Sequence, residues 1–131
     1  MVNLYVTPSC NSCRKAKEWL KQHNIPFKER NILNEPLTRK ELLDVLRLTE
    51  NGTEDIISTR SMEFKELNLD LDDLSIDQLL NFIEKHSGIL RRPIIVDDRR
   101  LQVGYKEEEI RRFLPRSVRR LELAKASMFA D

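Results

Sequence analysis

Two thiols three residues apart, Cys10 and Cys13, are the side chains here whose type and spacing suit covalent chemistry. They stand in Thr7-Pro8-Ser9-Cys10-Asn11-Ser12-Cys13-Arg14-Lys15, and the chain holds no other cysteine. Positions three apart on a helical turn are neighbours, close enough to meet the Cα separation of about 4.4–6.8 Å that a disulfide needs. The same pair can supply half of a zinc site or lie inert in a core. No second pair accompanies it, and the histidines His23 and His86 stand singly, so a zinc site would lack ligands. Two cysteines are also too few for the framework of a small secreted scaffold.

The elements around the pair decide what it does. Val2 to Val6 reads as a short buried strand, broken by Pro8-Ser9. A helix follows, with Ala16, Trp19 and Leu20 on one face, and its pattern runs out near Asn24 before Pro26. Cys10 therefore falls at a helix N-terminus, where unpaired N–H groups and the dipole stabilise a thiolate, an effect that Arg14 reinforces. Phe27 to Leu33 reads as a second strand, giving β-α-β with a right-handed parallel crossover.

Thr38 to Leu48 reads as a helix, with Thr38 and Glu41 as a capping box and Leu42, Leu43, Val45, Leu46 and Leu48 as its apolar face. Asn51-Gly52 ends it in a turn that suits a left-handed residue. Arg60 to Leu67 and Ser75 to His86 read as further helices around the acidic stretch Asp70 to Asp73, the second one directing Leu79, Leu80, Phe82 and Ile83 at a core. Ile94 to Val96 and Leu101 to Tyr105 form a hairpin about the turn Asp97 to Arg100, and Glu107 to Leu114 forms a last helix.

That order is the order of an α/β thioredoxin-like domain with a helical insertion between its β-α-β and β-β-α halves. Residues 1–115 are expected to form this one domain, with the insertion at about 34–89, and residues 116–131 a mobile C-terminal tail. A Cys-x-x-Cys opening the first helix is the redox site of such a fold. Pro93 begins the third strand where that fold carries a proline beside the site, often with a cis bond. Arg92 precedes it, and Arg60 is the other candidate to approach Cys10; either guanidinium can hold a thiolate or an oxyanion, or form a surface ion pair.

Composition sets outer bounds. The 131 residues, 40% hydrophobic and 34% charged with three glycines and five prolines, are too rich in core-forming side chains for a disordered or collagenous chain. Neither a membrane-length apolar run nor a signal-like start is present, so a soluble, cytoplasmic protein without membrane contact is expected. The net charge of +1 hides segregation: residues 61–90 carry 2 cations against 7 anions, and residues 91–131 carry 11 against 7. Arg111, Arg112, Arg116, Arg119 and Arg120 fall in ten residues free of acid, a field suited to a polyanion such as DNA or to solvent.

The sequence resembles the arsenate-reductase-like family, and within it a branch of transcriptional regulators. The likeness runs through Tyr5 to Lys15, Glu54 to Ser61, Leu90 to Asp97, Leu101 to Tyr105 and Glu109 to Arg116. The reductase branch implies a nucleophile at Cys10 and oxyanion-holding arginines at Arg60 and Arg92, with a further arginine after the glycine matching Gly104. Here Tyr105 stands in that place, and Cys13 supplies a local resolving thiol that the reductases generally lack.

The likeness therefore implies a redox-sensitive regulator of the disulfide-stress response rather than an enzyme. On that reading the protein is a monomer when free, needs no cofactor or metal, and switches by a Cys10–Cys13 disulfide. It docks through the Gly52 surface on the C-terminal domain of the RNA polymerase α subunit and touches promoter DNA only together with polymerase. The Clp protease system recognises the C-terminus, here Ala126 to Asp131. The alternative is a thiol-dependent arsenate reductase or another thiol–disulfide oxidoreductase, with Cys10 as nucleophile.

Overall fold

The computed structural model describes residues 1–68 and 70–115. The expected tail, with Arg116, Arg119, Arg120 and the proposed protease-recognition segment, lies outside the described residues. Four strands, β1 (Val2–Val6), β2 (Phe27–Asn31), β3 (Ile94–Val96) and β4 (Leu101–Val103), make one sheet in the order β2-β1-β3-β4. β1 is parallel to β2, with Val2 opposite Phe27, and antiparallel to β3, with Leu4 opposite Ile95. β3 and β4 form the expected hairpin.

Side chains on a strand alternate between faces, and here the alternation builds two cores. Val2, Leu4, Val6 and Ile95 pack with Ala16, Trp19 and Leu20 of helix α1 (Asn11–Gln22) and with Ile110 of the short helix α5 (Glu107–Ile110). Tyr5, Ile94 and Val96 turn the other way, onto Leu42 and Val45 of α2 (Arg39–Arg47) and Leu79, Leu80 and Ile83 of α4 (Ile76–Lys85). Both α2 and α4 open with complete capping boxes, Thr38 with Glu41 and Ser75 with Gln78. Between them α3 (Met62–Leu67) ends on Asn68 in the left-handed conformation.

The insertion is tied to the sheet at its midpoint. Ile57 bridges Leu90, the Arg91 N–H donates to the Ile56 carbonyl at 2.7 Å, and the Ser58 N–H donates to Ile89 at 2.7 Å. This places the residues after α2 directly beside the entry to β3.

Several boundaries differ from the sequence reading. β2 ends at Asn31, and Leu33 is 51% exposed in the following turn. Leu43 lies on the outer face of α2, and Phe82 is half-buried, stacked on His86 rather than set in the core. α3 starts at Met62, because Ser61 caps it by accepting the Phe64 N–H. β4 stops at Val103, since Gly104 takes a left-handed φ of 83°. The last helix is α only to Ile110 and then tightens to a 3-10 turn over Arg111–Phe113.

Candidate functional site

β1 delivers the chain to a tight loop in which Ser9 adopts a left-handed φ of 59°, and Cys10 then caps α1 in an extended conformation. The backbone N–H of Cys13, one of the helix's unpaired first-turn donors, points at Cys10 Sγ at 3.1 Å. Both cysteines are free thiols. Cys10 is half-exposed, whereas Cys13 is 5% exposed among Ala16, Trp19 and the strands behind it. Burial, followed by the hydrogen bond to Cys10, pushes the Cys13 thiol up to about 12, against the weaker pull of a backbone hydrogen bond from Thr7 and of the Arg92 charge. The two sulfurs are thus unlike: one meets solvent and helix donors, the other is shielded and keeps its proton.

Cys10 opens into a cleft of about 450 Å³ whose charged walls are Arg14, Lys17 and Glu29. Lys17 and Glu29 pair at 2.7 Å, and Arg14 donates to the Asn11 side-chain oxygen. A second, larger cleft of about 700 Å³ is lined by Arg60, Arg91, Arg92, Tyr105 and Lys106, with the Ser58 and Thr59 hydroxyls. The structure therefore brings Arg60 and Arg92 together, but in a cleft whose walls do not include either cysteine.

Only Arg92 of the two reaches back to the cysteine loop. Its guanidinium donates to Thr7 Oγ1 at 3.3 Å and to the Gly88 carbonyl at 2.8 Å. The peptide bond joining it to Pro93 is cis, as the position beside a thioredoxin-like redox site led us to expect. Arg60 is exposed and makes no hydrogen bond or ion pair among the described residues. Arg91 and Lys106, cations of the same cleft, went unnoticed in the sequence, although Arg91 adjoins Arg92 and Lys106 follows Gly104-Tyr105.

Gly52 stands apart from both clefts. Its φ is 71°, it begins a 3-10 turn over Gly52–Asp55, and a Cβ added there would meet nothing within 4 Å. The turn is pinned by Asp55, whose carboxylate accepts the Asn51 N–H at 3.0 Å and the Glu50 N–H at 3.1 Å. The Asn51 N–H is the main cause of a carboxyl held below the usual carboxylate range.

Of the arginine cluster, Arg111 and Arg112 are exposed on the turn after α5. Arg112 is already engaged with its own fold, donating to the Leu101 carbonyl at 2.8 Å and the Glu109 carbonyl at 3.1 Å. Each histidine caps a helix C-terminus: His23 stacks on Trp19, and His86 stacks on Phe82 and lies 3.6 Å from Glu63. Among the described residues no group of three or more His, Cys, Asp or Glu is placed to hold a metal, and no helix is long and apolar enough to cross a membrane.

The arrangement can do thiol–disulfide chemistry at Cys10 with Cys13 as resolving partner. Known proteins bear on it as follows. The model of the ArsC family matches residues 5–113. The chain is 60% identical, over all 131 residues and the whole of the relative, to the global transcriptional regulator Spx of Listeria innocua. It is 55% identical over the same full lengths to the regulator of that name from Bacillus subtilis. Among solved structures, an ArsC family related protein from Bacteroides fragilis superposes with a TM-score of 0.78 at 27% identity, covering 86% of this chain and 96% of that one.

Proposed function

The chain belongs to the ArsC family, and we propose that within it this protein is a transcriptional regulator whose docking on RNA polymerase responds to the redox state of Cys10 and Cys13. The observation that carries the first half is the identity of 55–60% over full length with proteins named as global transcriptional regulators. Similarity of that order spans both chains from end to end.

The redox half rests on the chemistry of the pair. A half-exposed Cys10 at a helix N-terminus reacts first with an oxidant, and Cys13, one turn away, resolves the product to a disulfide. Closing that bond withdraws Cys10 Sγ from its cap on the Cys13 N–H and disturbs the loop that Thr7 shares with Arg92. Arg92 also holds the Gly88 carbonyl, so the change reaches the residues between α4 and β3. Gly52 belongs to the surface expected to meet the C-terminal domain of the polymerase α subunit. Its open surroundings mean that a large side chain there projects outward, into a partner's space. Promoter DNA is touched only with polymerase in place. Arg111, Arg112 and the arginines beyond the described residues are the candidates for that contact, although Arg112 also donates to the Leu101 and Glu109 carbonyls. Recognition by the Clp protease system through the C-terminus completes the reading.

A second reading, a thiol-dependent arsenate reductase, draws on the meeting of Arg60 and Arg92 in one cleft. Against it stand Tyr105 in that cleft where a further anion-holding arginine is expected, and the absence of Cys10 from the residues that line it. Incubation with arsenate and a thiol reductant tests the choice: a regulator gives no turnover above background, and multiple turnovers that vanish in Cys10→Ala would favour the enzyme.

A further inference from the structure

The cleft at Cys10 has a charge pattern of its own. Two cations from successive turns of α1, Arg14 and Lys17, line it with Cys10, together with one anion, Glu29 from the edge strand β2. Lys17 and Glu29 neutralise one another at 2.7 Å. Arg14 has only the neutral Asn11 amide as partner, so its charge and most of its five N–H donors face the cleft and solvent. The volume, about 450 Å³, suits a small molecule rather than a protein surface.

Resting on the redox reading above, we infer that the cleft selects the oxidant: a small disulfide whose arms carry carboxylates is drawn to Arg14 and forms a mixed disulfide with Cys10. In the first step the Cys10 thiolate attacks one sulfur of R–S–S–R. A Cys10–S–R bond forms, and R–S⁻ departs and takes a proton from solvent. In the second step Cys13 gives up its proton and attacks Cys10 Sγ, expelling the second R–S⁻. Two electrons pass from the protein dithiol to the small disulfide, and two R–SH molecules are released. The second step draws on the buried thiol of Cys13.

The test uses the full chain at neutral pH and three probes of similar size: dithiodipropionate (anionic), hydroxyethyl disulfide (neutral) and cystamine (cationic). The summed mixed and internal disulfide is followed by intact mass after acid quenching. Each rate is normalised to that of a small free thiol. The account expects the anionic probe to exceed the neutral one by about threefold at low salt, the scale of one exposed charge pair, with the cationic probe slowest. In Arg14→Gln that preference falls to near one, while Lys15→Gln, whose side chain lies outside the cleft wall, keeps it. Equal normalised rates for the three probes, or a preference that survives Arg14→Gln, would overturn the inference and leave the redox reading standing. No Cys10-dependent reaction with any probe would sink both.

Discussion

At the scale of single residues, the two cysteines differ in what their surroundings let them do. Cys13 has its thiol raised from an ordinary value of 9.0 to about 12 by burial and by Cys10. The folded state therefore holds this proton more tightly than the unfolded chain. Stability conferred by the protonated thiol is complete below pH 9 and is lost as pH rises toward 12, at up to about 1.4 kcal/mol per pH unit. Urea unfolding at pH 8 and pH 10 should show a larger alkaline loss for the native sequence than for Cys13→Ala; an equal loss in both would remove this account of the thiol. Alkylation of the native protein at neutral pH should likewise mark Cys10 and spare Cys13, as peptide mass mapping would report. The identity of this pair and its place at a helix start were legible in the sequence, because spacing and strand-break-helix order are local properties. Their unequal burial was not, nor was the separation of Arg60 from the cysteine cleft, since the reach of a long side chain depends on how α3 and β3 pack.

At the scale of elements, the strong signals were those in which several local cues agreed. Thr38 with Glu41 announces a helix start that the structure reproduces as a capping box, and the structure adds a second box at Ser75 with Gln78. Thr38→Ala and Ser75→Ala should each cost about 1 kcal/mol in chemical denaturation, the usual worth of such a cap. Strand and helix ends were less legible, because they depend on which carbonyls find partners elsewhere. The last helix shows why. Arg100, from the hairpin turn, donates to the Arg112 carbonyl at 2.6 Å, pairs with Asp97 at 2.9 Å and lies over the Phe113 ring, so the chain after Ile110 is drawn into a tighter turn. Asp97 is partly buried, which opposes its ionisation, yet the Arg99 and Arg100 N–H groups and the Arg100 charge outweigh burial and hold its carboxyl below the ordinary range. A depressed carboxyl contributes stability above its unfolded value, lost as pH falls through the folded one. Arg100→Ala should therefore destabilise by about 1 kcal/mol near neutrality, less once acid has protonated Asp97, and loosen the Arg111 to Leu114 turn in hydrogen exchange.

At the scale of the whole molecule, the fold sets out three features: the thiol cleft, the cationic cleft of Arg60 and Arg92, whose linings share no residue, and the Gly52 turn. The thioredoxin-like order with its helical insertion was legible in the alternation of strand and helix patterns. The division into two chemically distinct clefts was not, because it arises where the insertion is pinned to the start of β3 by Ile57 and Leu90. Arg92, bonded at once to Thr7 and to Gly88, is the side chain that joins the cysteine loop to the insertion. Arg92→Ala should weaken any dependence of partner binding on redox state while leaving Cys10 and Cys13 able to form their disulfide. Gly52→Arg should leave the fold in place, since the cost is backbone strain at φ 71° of about 1 kcal/mol and no clash. The measurement that tests the central claim most directly is binding of the purified chain to the isolated C-terminal domain of the RNA polymerase α subunit, reduced and oxidised, with folded Gly52→Arg alongside. The account predicts a complex with the native sequence, altered by the redox state of Cys10 and Cys13 and lost in Gly52→Arg. Absence of a complex in both redox states, or one indifferent to Gly52→Arg, would contradict it.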